Sequence, residues 1–412
     1  MAHWSDYSTG ERIAILRGAD VTQQQLAQMT DVSVHTIRAA EQDRRLTLPT
    51  LMKISDALGA DISVIEGQQE LPRAMAQNDR RMLRALSGTI HDTAAGILPA
   101  AEAVQYTELE RAIKRCWALY WEGNYTEAGT VATRTIETAA ATRHHAHVGA
   151  QAEAWGLLSD AYRLGAYVAN LVGARDLAYA AIGHAQHAAE QSADGMRPAL
   201  VMSGRAWVYL RDARLTDALK LAEQSATDIE PRWSTATPEQ LTVYGSHVNF
   251  AAVVASRLED KDRAGDYLSQ SHSTGARMGE EVKAHGTLFG PVSATTQAVG
   301  VNVSLGQTGK ALELIKGVGD ISKLTDAARN RFAMDKALAL VDAKRYDQSL
   351  DVLEKALRAA PEWARHQTLP TVIAEKAGRA STAKLRRVSE LIGVRPPGVM
   401  SGFSTANRRS AL

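Results

Sequence analysis

The absences in this sequence already exclude several kinds of protein. The chain has one cysteine, Cys116, in 412 residues, which excludes an intrachain disulfide framework. Its apolar stretches fall well short of the roughly 20 residues needed to cross a bilayer. The first residues show no signal-peptide pattern. We therefore expect a cytoplasmic protein that does not enter a membrane.

Aromatic residues are also scarce, at 5% of the chain, and proline occurs only 11 times. Runs of Val, Ile, Thr and aromatic residues, which favour strands, are nearly absent, whereas alanine is abundant. The composition predicts an all-α protein. The length indicates two to three domains at about 150 residues each.

The motifs that carry catalysis are missing too. The sequence has no Gly-rich phosphate loop, no nucleophile elbow and no Ser/His/Asp set in a supporting context. Two histidine groups have neither a cysteine nor a tight carboxylate cluster beside them, as a metal site would need. They are His144, His145 and His147, and His184 and His187. We predict no enzymatic activity, no cofactor and no metal.

What the sequence does contain is a pattern of two short helices and a tight turn at residues 21–45. Thr22 and Ser33 stand where a hydroxyl can cap a helix start, and Asp31 opens the turn between the helices. Residues three or four apart share a helix face, which defines an inward apolar side. Its members are Leu26, Ala27, Met29, Val32, Ile37 and Ala40.

The outward side of this pattern predicts a DNA interface, because such a pair carries its second helix into the major groove. The predicted contacts are Gln23, Ser33, Val34, His35, Thr36, Arg38, Ala39, Arg44 and Arg45. Arg38 suits guanine, and its small apolar neighbours suit a thymine methyl. Gln23, Arg44 and Arg45 are placed to hold phosphate, which positions the protein without reading sequence.

Amphipathic helices are predicted on both sides of the pair, at 12–17 and 47–59, with Pro49 in a first turn and Gly59 at the stop. The matching positions are Thr22-Gln23, Leu26-Ala27, Val32-Ser33, Thr36-Ile37, Glu41 and the closing segment Leu51 to Gly59. On these residues the segment 8–65 resembles the Xre-family, lambda-repressor-like helix-turn-helix domain. The resemblance implies a five-helix DNA-binding fold, with Asp31 in place of the usual turn glycine.

The charge of this segment limits its expected affinity. The whole chain carries a net charge of +1, but residues 1–65 hold six Lys and Arg against eight Asp and Glu, a net charge of −2. DNA affinity depends on phosphate neutralisation, so we expect weak binding by one copy. Dimerisation, or the basic stretch from Arg73 through Arg80 and Arg81 to Arg84, would have to assist.

From about residue 105 the chain repeats a motif of an apolar helix, a short polar break and a second helix that starts with a small residue. The small residues are Ala128, Ala178, Ala218, Ala264, Ala311 and Ser349, spaced 38 to 50 residues apart. A tetratricopeptide repeat has about 34 residues, so this region resembles that family with longer helices or loops. Stacked pairs of this kind form a curved solenoid with a concave face.

A helix-turn-helix domain joined to such an array resembles the peptide-sensing RRNPP regulators of Gram-positive bacteria, and actinobacterial regulators of the same layout. In the RRNPP group, Asn side chains on the concave face hold the ligand, which points to Asn249 and Asn302. The aromatic candidates for the same face are Trp207, Tyr209, Tyr244 and Phe250.

The predicted organisation is a DNA-binding domain at 1–65, a linker with one helix (Arg73 to Leu86) at 66–104, a tetratricopeptide-like domain at 105–395 and a mobile tail at 396–412. We predict a homodimeric transcriptional regulator that binds a palindromic operator in double-stranded DNA. A peptide or small signalling molecule in the repeat domain would control it. The alternative is an interaction scaffold whose N-terminal domain docks to a protein.

Overall fold

The computed structural model describes Trp4 and residues 7–18, 21–44, 46–58, 60, 62–67, 77–378 and 382–392. Four predicted features lie outside these residues: the phosphate contact Arg45, the helix stop Gly59, the basic residue Arg73 and the mobile tail at 396–412. The described chain is almost wholly helical, and this confirms the predicted fold class.

Five short helices form the N-terminal domain. They are α1 (Thr9–Arg17), α2 (Gln23–Thr30), α3 (Val34–Glu41), α4 (Leu48–Leu58) and α5 (Ile62–Ile65). Each helix contributes apolar residues to one core, in which Ile13, Leu26, Ile37, Leu51 and Ile65 are fully buried. The amphipathic spacing of these residues therefore brings the five helices together around a common centre.

The remaining helices form a long array. They are α6 (Gln77–Ala94), α7 (Tyr106–Glu122), α8 (Tyr125–His145), α9 (Gln151–Leu171), α10 (Arg175–Glu190), α11 (Arg197–Arg211), α12 (Leu215–Asp228), α13 (Pro238–Arg257), α14 (Lys261–Met278), α15 (Pro291–Ser304), α16 (Thr308–Gly317), α17 (Asp326–Asp342), α18 (Tyr346–Ala359), α19 (Pro361–Arg365), α20 (Leu369–Ala377) and α21 (Thr382–Ile392). Helices α7 to α18 pack as six successive pairs, each with its own short connection.

The six small residues predicted from the repeat pattern occupy equivalent positions in these pairs. Each is the fourth residue of the second helix, and each is fully buried: Ala128, Ala178, Ala218, Ala264, Ala311 and Ser349. A small side chain there lets the second helix pack closely against the first. This part of the sequence pattern is confirmed, and the body of the protein is a repeat of helix pairs.

The array curves until its end meets its beginning. The backbone N–H of Thr126, at the start of α8, donates to Glu362 Oε1 in α19 at 2.8 Å. A Cβ atom added to Gly123 would lie 2.9 Å from Cβ of Trp363, so the two ends approach closely. The first helices of the pairs consequently surround an interior space.

The helix predicted in the linker differs from the one observed. Helix α6 covers Gln77–Ala94 rather than Arg73 to Leu86, and it belongs to the array. Its Met82, Leu86 and Ile90 are buried in the array's core. Gly88 lies within α6, where it faces open space and does not end the helix.

A two-stranded hairpin between α14 and α15 was not predicted. Strands β1 (Val282–Ala284) and β2 (Thr287–Phe289) pair antiparallel around a turn at His285-Gly286, where both residues have positive φ. Phe289 is fully buried against α13, where a Cβ on Gly245 would lie 2.2 Å from its ring. Gly286 lies against the ring of Trp117 in α7, so the hairpin crosses the interior.

Candidate nucleic-acid interface and ligand cavity

The two predicted caps set the geometry of the helix pair α2 and α3. The hydroxyl of Thr22 accepts from the backbone N–H of Gln25 at 3.1 Å, and the Gln25 side chain accepts from the N–H of Thr22 at 2.8 Å. Ser33 Oγ likewise accepts from the N–H of Thr36 at 3.0 Å. Between the helices Asp31 is left-handed, with φ of 49°, a conformation that short polar side chains tolerate. These local contacts fix where each helix begins.

The inward side of the pair largely follows the sequence prediction. Leu26, Ala27, Ile37 and Ala40 are buried. Met29 was predicted to join them, but it is 55% exposed. Met29 lies three residues beyond Leu26 in α2, on the solvent side of the buried stripe. The prediction for Met29 is therefore wrong.

The outward side of α3 is accessible, as a reading helix requires. His35 and Arg38 are exposed, as are Ser33 and Arg44 just before and after α3. Gln23, Val34, Thr36 and Ala39 are half-buried, and Val34 packs partly against the domain core. Arg38 thus stands on the accessible side of α3.

A polar network that the sequence analysis did not predict ties Arg38 to the rest of the domain. Arg38 Nε donates to Gln23 Oε1 at 3.2 Å, and Gln23 Nε2 donates to Glu41 Oε2 at 2.6 Å. Glu41 also accepts from Arg17 Nε at 2.6 Å, and this ion pair is mostly shielded from solvent. The network joins α1, α2 and α3, so it holds Gln23 and Arg38 at a defined position on the surface.

Comparison with protein families gives a match at this geometry. Residues 13–65 match the helix-turn-helix family model. This segment is a helix-turn-helix domain. The match supports a DNA-binding regulator and covers the N-terminal part of the chain alone. Comparisons with curated proteins and with solved structures give no match for this chain.

A second candidate site is a cavity of about 440 Å³ lined by the helical array and the helix-turn-helix domain and partly open to solvent. Its walls come from the first helices of the array, which include α9, α11, α13 and α17, and from the hairpin. The helix-turn-helix domain closes one side with Leu48 and Met52 of α4 and with Ile62 and Ser63 of α5. A molecule in this cavity would contact both parts of the protein.

Three of the six predicted ligand residues line this cavity. Trp207 is packed against Tyr167, with ring centroids 4.8 Å apart. Phe250 and Asn249 line the α13 wall, and Asn249 Oδ1 accepts from Ser271 Oγ at 2.6 Å. The structure therefore brings these residues from α11 and α13 together around one space.

The other three predicted ligand residues do not line this cavity. Asn302 is buried and donates to the carbonyl of Ala298 in its own helix at 2.7 Å. Tyr209 lies beneath the guanidinium of Arg214, 4.0 Å from its ring centroid. Tyr244 packs in a separate small apolar cluster with Val248 and Ala226. All three residues lie in first helices of the pairs, as their spacing predicts, but they are not on the helix faces that line the cavity.

The joint between the helix-turn-helix domain and the array contains a shielded carboxyl group. Thr9 Oγ1 donates to Glu375 Oε1 of α20 at 2.8 Å. Burial raises the pKa of Glu375 to about 7, against the opposing effect of the Thr9 hydrogen bond, and the nearby Asp43 carboxylate raises it further. Burial also lowers the pKa of Arg12, which lies close to Glu375. Protonation of Glu375 therefore stabilises the packing of the helix-turn-helix domain on the array.

Among the described residues, neither the one cysteine nor the histidine and carboxylate side chains form a further reactive or metal-binding site. Burial raises the pKa of Cys116 to about 11, and its thiol lies 3.7 Å from the Thr135 hydroxyl. That pKa leaves little of the reactive thiolate at neutral pH. Within the described ranges no three His, Cys, Asp or Glu side chains are grouped as metal ligands, and no helix there has the length and apolar character of a membrane span.

Proposed function

We propose that this protein is a transcriptional regulator that reads DNA with α3 and is controlled by a small ligand in the array cavity. The observation that carries the DNA-binding part is the exposed face of α3 within a domain that matches the helix-turn-helix family. Arg38, His35, Thr36, Val34 and Ala39 face the bases.

Residues at the edges of the helix pair position the domain on the duplex. Ser33 and Gln23 lie at the N-terminal ends of α3 and α2, where backbone N–H groups favour a phosphate. Arg44 follows α3 and is exposed, so it holds phosphate as well, and we keep the same role for Arg45. These contacts fix register rather than sequence.

Two copies of the chain bind a palindromic operator in this proposal. The net charge of −2 on residues 1–65 leaves one domain with few phosphate contacts, and a second domain on the same duplex doubles them. Half-sites one helical turn apart, or a multiple of it, then match the two-fold symmetry of the dimer.

The cavity supports ligand control because helices from both parts of the protein line it. Leu48 and Met52 lie on α4, which also packs against the reading pair through α2. A ligand that fits one arrangement of the domain on the array better than another shifts the population toward it. We propose Trp207, Phe250 and Asn249 as contacts for that ligand.

A footprint on the DNA upstream of the protein's own gene tests the DNA-binding function. At low salt we expect protection by the purified full-length chain, and we expect Arg38→Ala to weaken binding by about 1–3 kcal/mol, or roughly 5- to 150-fold. Arg111→Ala is the matched control, because Arg111 is exposed on α7 and its Nε donates within its own helix.

Two results would overturn the proposal. One is an absence of protection by the wild type at low salt, with or without cell extract. The other is equal protection by the wild type and by Arg38→Ala. Either result, combined with capture of a protein partner that depends on the N-terminal domain, would favour an interaction scaffold.

A further inference from the structure

The size of the array cavity restricts what it can hold. Its volume of about 440 Å³ lies within the range of about 300–1,000 Å³ typical of small-molecule sites. Helices of the array, the hairpin and α4 line it on different sides, and it stays partly open to solvent. A space of this volume suits a compact molecule better than a long extended peptide.

The charged residues that line the cavity are strongly unbalanced. Four arginines line it, one from each of α9, α11, α13 and α17: Arg163, Arg211, Arg257 and Arg331. The acidic residue among the described lining residues is Asp335. A partly dry cavity with several cations and one anion has a positive potential, since low dielectric strengthens each charge.

Arg331 is paired with that single carboxylate, and Arg257 lies near enough to be affected by the charges of both. Arg331 Nε donates to both oxygens of Asp335, at 3.2 and 3.1 Å, whereas Arg257 donates to the hydroxyl of Ser304. Burial lowers the pKa of Arg257 to about 10, and Arg331 lowers it further, although Asp335 opposes both. The pair therefore carries more positive charge than Asp335 compensates.

Arg163 adds a buried cation on the opposite wall. It is 2% exposed, its Nη2 donates to the carbonyl of His285 at 2.7 Å, and its guanidinium lies 5.1 Å from the Trp117 ring centroid. Its Nε is buried without a hydrogen-bond partner in the described structure. Asp160 lies 3.7 Å away and also pairs with Arg197 at 3.0 Å, so it is shared between two arginines.

The neighbouring histidine does not relieve this imbalance. Burial lowers the pKa of His247 to about 4, and Arg163 lowers it further, against the effect of its contact with the Ser225 carbonyl. His247 is therefore neutral at pH 7, and it neither adds a cation nor supplies an anion to the cavity.

Arg211 contributes a guanidinium on a third wall. Its Nη2 donates to the carbonyl of Leu171 at 3.5 Å, a long contact. Guanidinium groups bind planar anions through paired N–H donors, so arginines on three walls are suited to an anionic head group.

Aromatic and apolar side chains make up much of the remaining wall. Tyr167 and Trp207 pack together, and Phe250 and Phe332 lie on α13 and α17. A fitting molecule has an apolar or aromatic body as well as a charged group. We infer that this cavity binds a small organic anion, with a carboxylate or phosphate head held by the arginines and an apolar body packed on the aromatic residues.

This inference deepens the proposed ligand control and rests on it for its biological role. Its test uses two dyes with nearly the same body: the anionic 8-anilinonaphthalene-1-sulfonate and the neutral N-phenyl-1-naphthylamine. Fluorescence titration of the full chain should show tighter binding of the anionic dye. Arg331→Gln should weaken its binding roughly tenfold, as expected for a lost charged hydrogen bond, and change the neutral dye less than twofold.

Three further variants separate charge from structure. Arg331→Lys retains the cation and should keep most of the anionic dye's affinity, and Arg211→Gln should reproduce the loss on a different wall. Arg358→Gln is the matched control, because Arg358 pairs with Glu354 four residues away, as Arg331 does with Asp335, but lies outside the cavity lining. It should behave as the wild type.

Competition then distinguishes the two head groups. Displacement of the anionic dye by 1-naphthyl phosphate more than by 1-naphthoate identifies a phosphate site, and the reverse order identifies a carboxylate site. Displacement by neutral 1-naphthol as effectively as by both anions would contradict the inference.

The inference is also wrong if both dyes bind the wild type equally, or if the Gln variants at 331 and 211 melt at the wild-type temperature and bind the anionic dye unchanged. DNA retention is measured on the same samples. A wild type that fails to retain DNA counts against the regulator, whereas a failed dye result with intact DNA retention counts against the anion site alone.

Discussion

The helix-turn-helix domain and the helical array place arginine in opposite surroundings. Arg38 stands on an exposed helix face with an amide partner, Gln23, which positions its guanidinium without neutralising it. Arg257 is buried within a cavity wall, near a second arginine and the one carboxylate that pairs with that arginine. The first arrangement suits a large partner that docks from solvent, and the second suits a small one that replaces water.

The difference also concerns how each site is held together. The exposed face of α3 depends on local contacts, namely two helix caps, a left-handed turn and one polar network across three short helices. The cavity depends on residues from helices far apart in sequence, which the curvature of the array brings together. Changes in these two regions should therefore have effects of different size.

The largest expected effect is in the array, at Asp335, the carboxylate that pairs with Arg331 near the buried Arg257. Asp335→Ala leaves Arg257 buried beside Arg331 without compensation, and we expect a loss of about 3 kcal/mol in the free energy of unfolding. Urea unfolding measures it. Asp217→Ala, which breaks an exposed pair with Arg214, should cost less than about 1 kcal/mol. Equal losses in the two variants would show that the buried carboxylate Asp335 stabilises the fold no more than the exposed Asp217 does.

An intermediate effect is expected at the joint between the two regions, at Glu375. Because its pKa is raised to about 7, its contribution to stability is complete below about pH 4.5 and is lost as the pH rises to about 7. Glu375→Gln keeps an acceptor for Thr9 and removes the charge. At pH 8 the free energy of unfolding of the variant should exceed that of the wild type by up to about 3 kcal/mol.

Thermal unfolding at a series of pH values checks this prediction. Glu313→Gln, which alters an exposed pair with Lys316, should leave the pH profile as in the wild type. If Glu375→Gln and the wild type lose stability in parallel between pH 4.5 and 8, Glu375 does not titrate at the joint.

The smallest expected effect on stability is in the helix-turn-helix domain, at the start of α3. Ser33→Ala removes the cap of α3, in which Ser33 Oγ accepts from the N–H of Thr36, and should destabilise the domain by about 1 kcal/mol. Hydrogen exchange of the α3 amides measures it locally. Ser273→Ala, an exposed position inside α14, is the control. If the α3 amides lose no more protection in Ser33→Ala than in the control, the packing of Ile37 holds α3 in place without the cap.

Local signals explain what the sequence could predict. Caps at Thr22 and Ser33, the left-handed position at Asp31 and the small residues of the second helices are all defined within a few residues of chain. The caps and the turn are confirmed because short-range sterics and hydrogen bonds determine them, and the small residues because the repeat places them at the same packing position in every pair.

Features that depend on long-range packing could not be predicted. The hairpin has strands of only three residues, and it forms because Phe289 fits against Gly245 and Gly286 against Trp117. Helical spacing could not distinguish Trp207, which lines the cavity, from Tyr209 and Tyr244, which pack elsewhere. The network around Glu41 likewise joins residues from three helices.

The central claim is that α3 reads DNA through Arg38, and fluorescence anisotropy with labelled upstream DNA over a range of salt concentrations tests it most directly. We predict wild-type binding that weakens steeply with salt, a roughly 5- to 150-fold loss for Arg38→Ala and wild-type affinity for Arg111→Ala. Wild-type affinity for Arg38→Ala, or no binding by the wild type at low salt, would contradict the account.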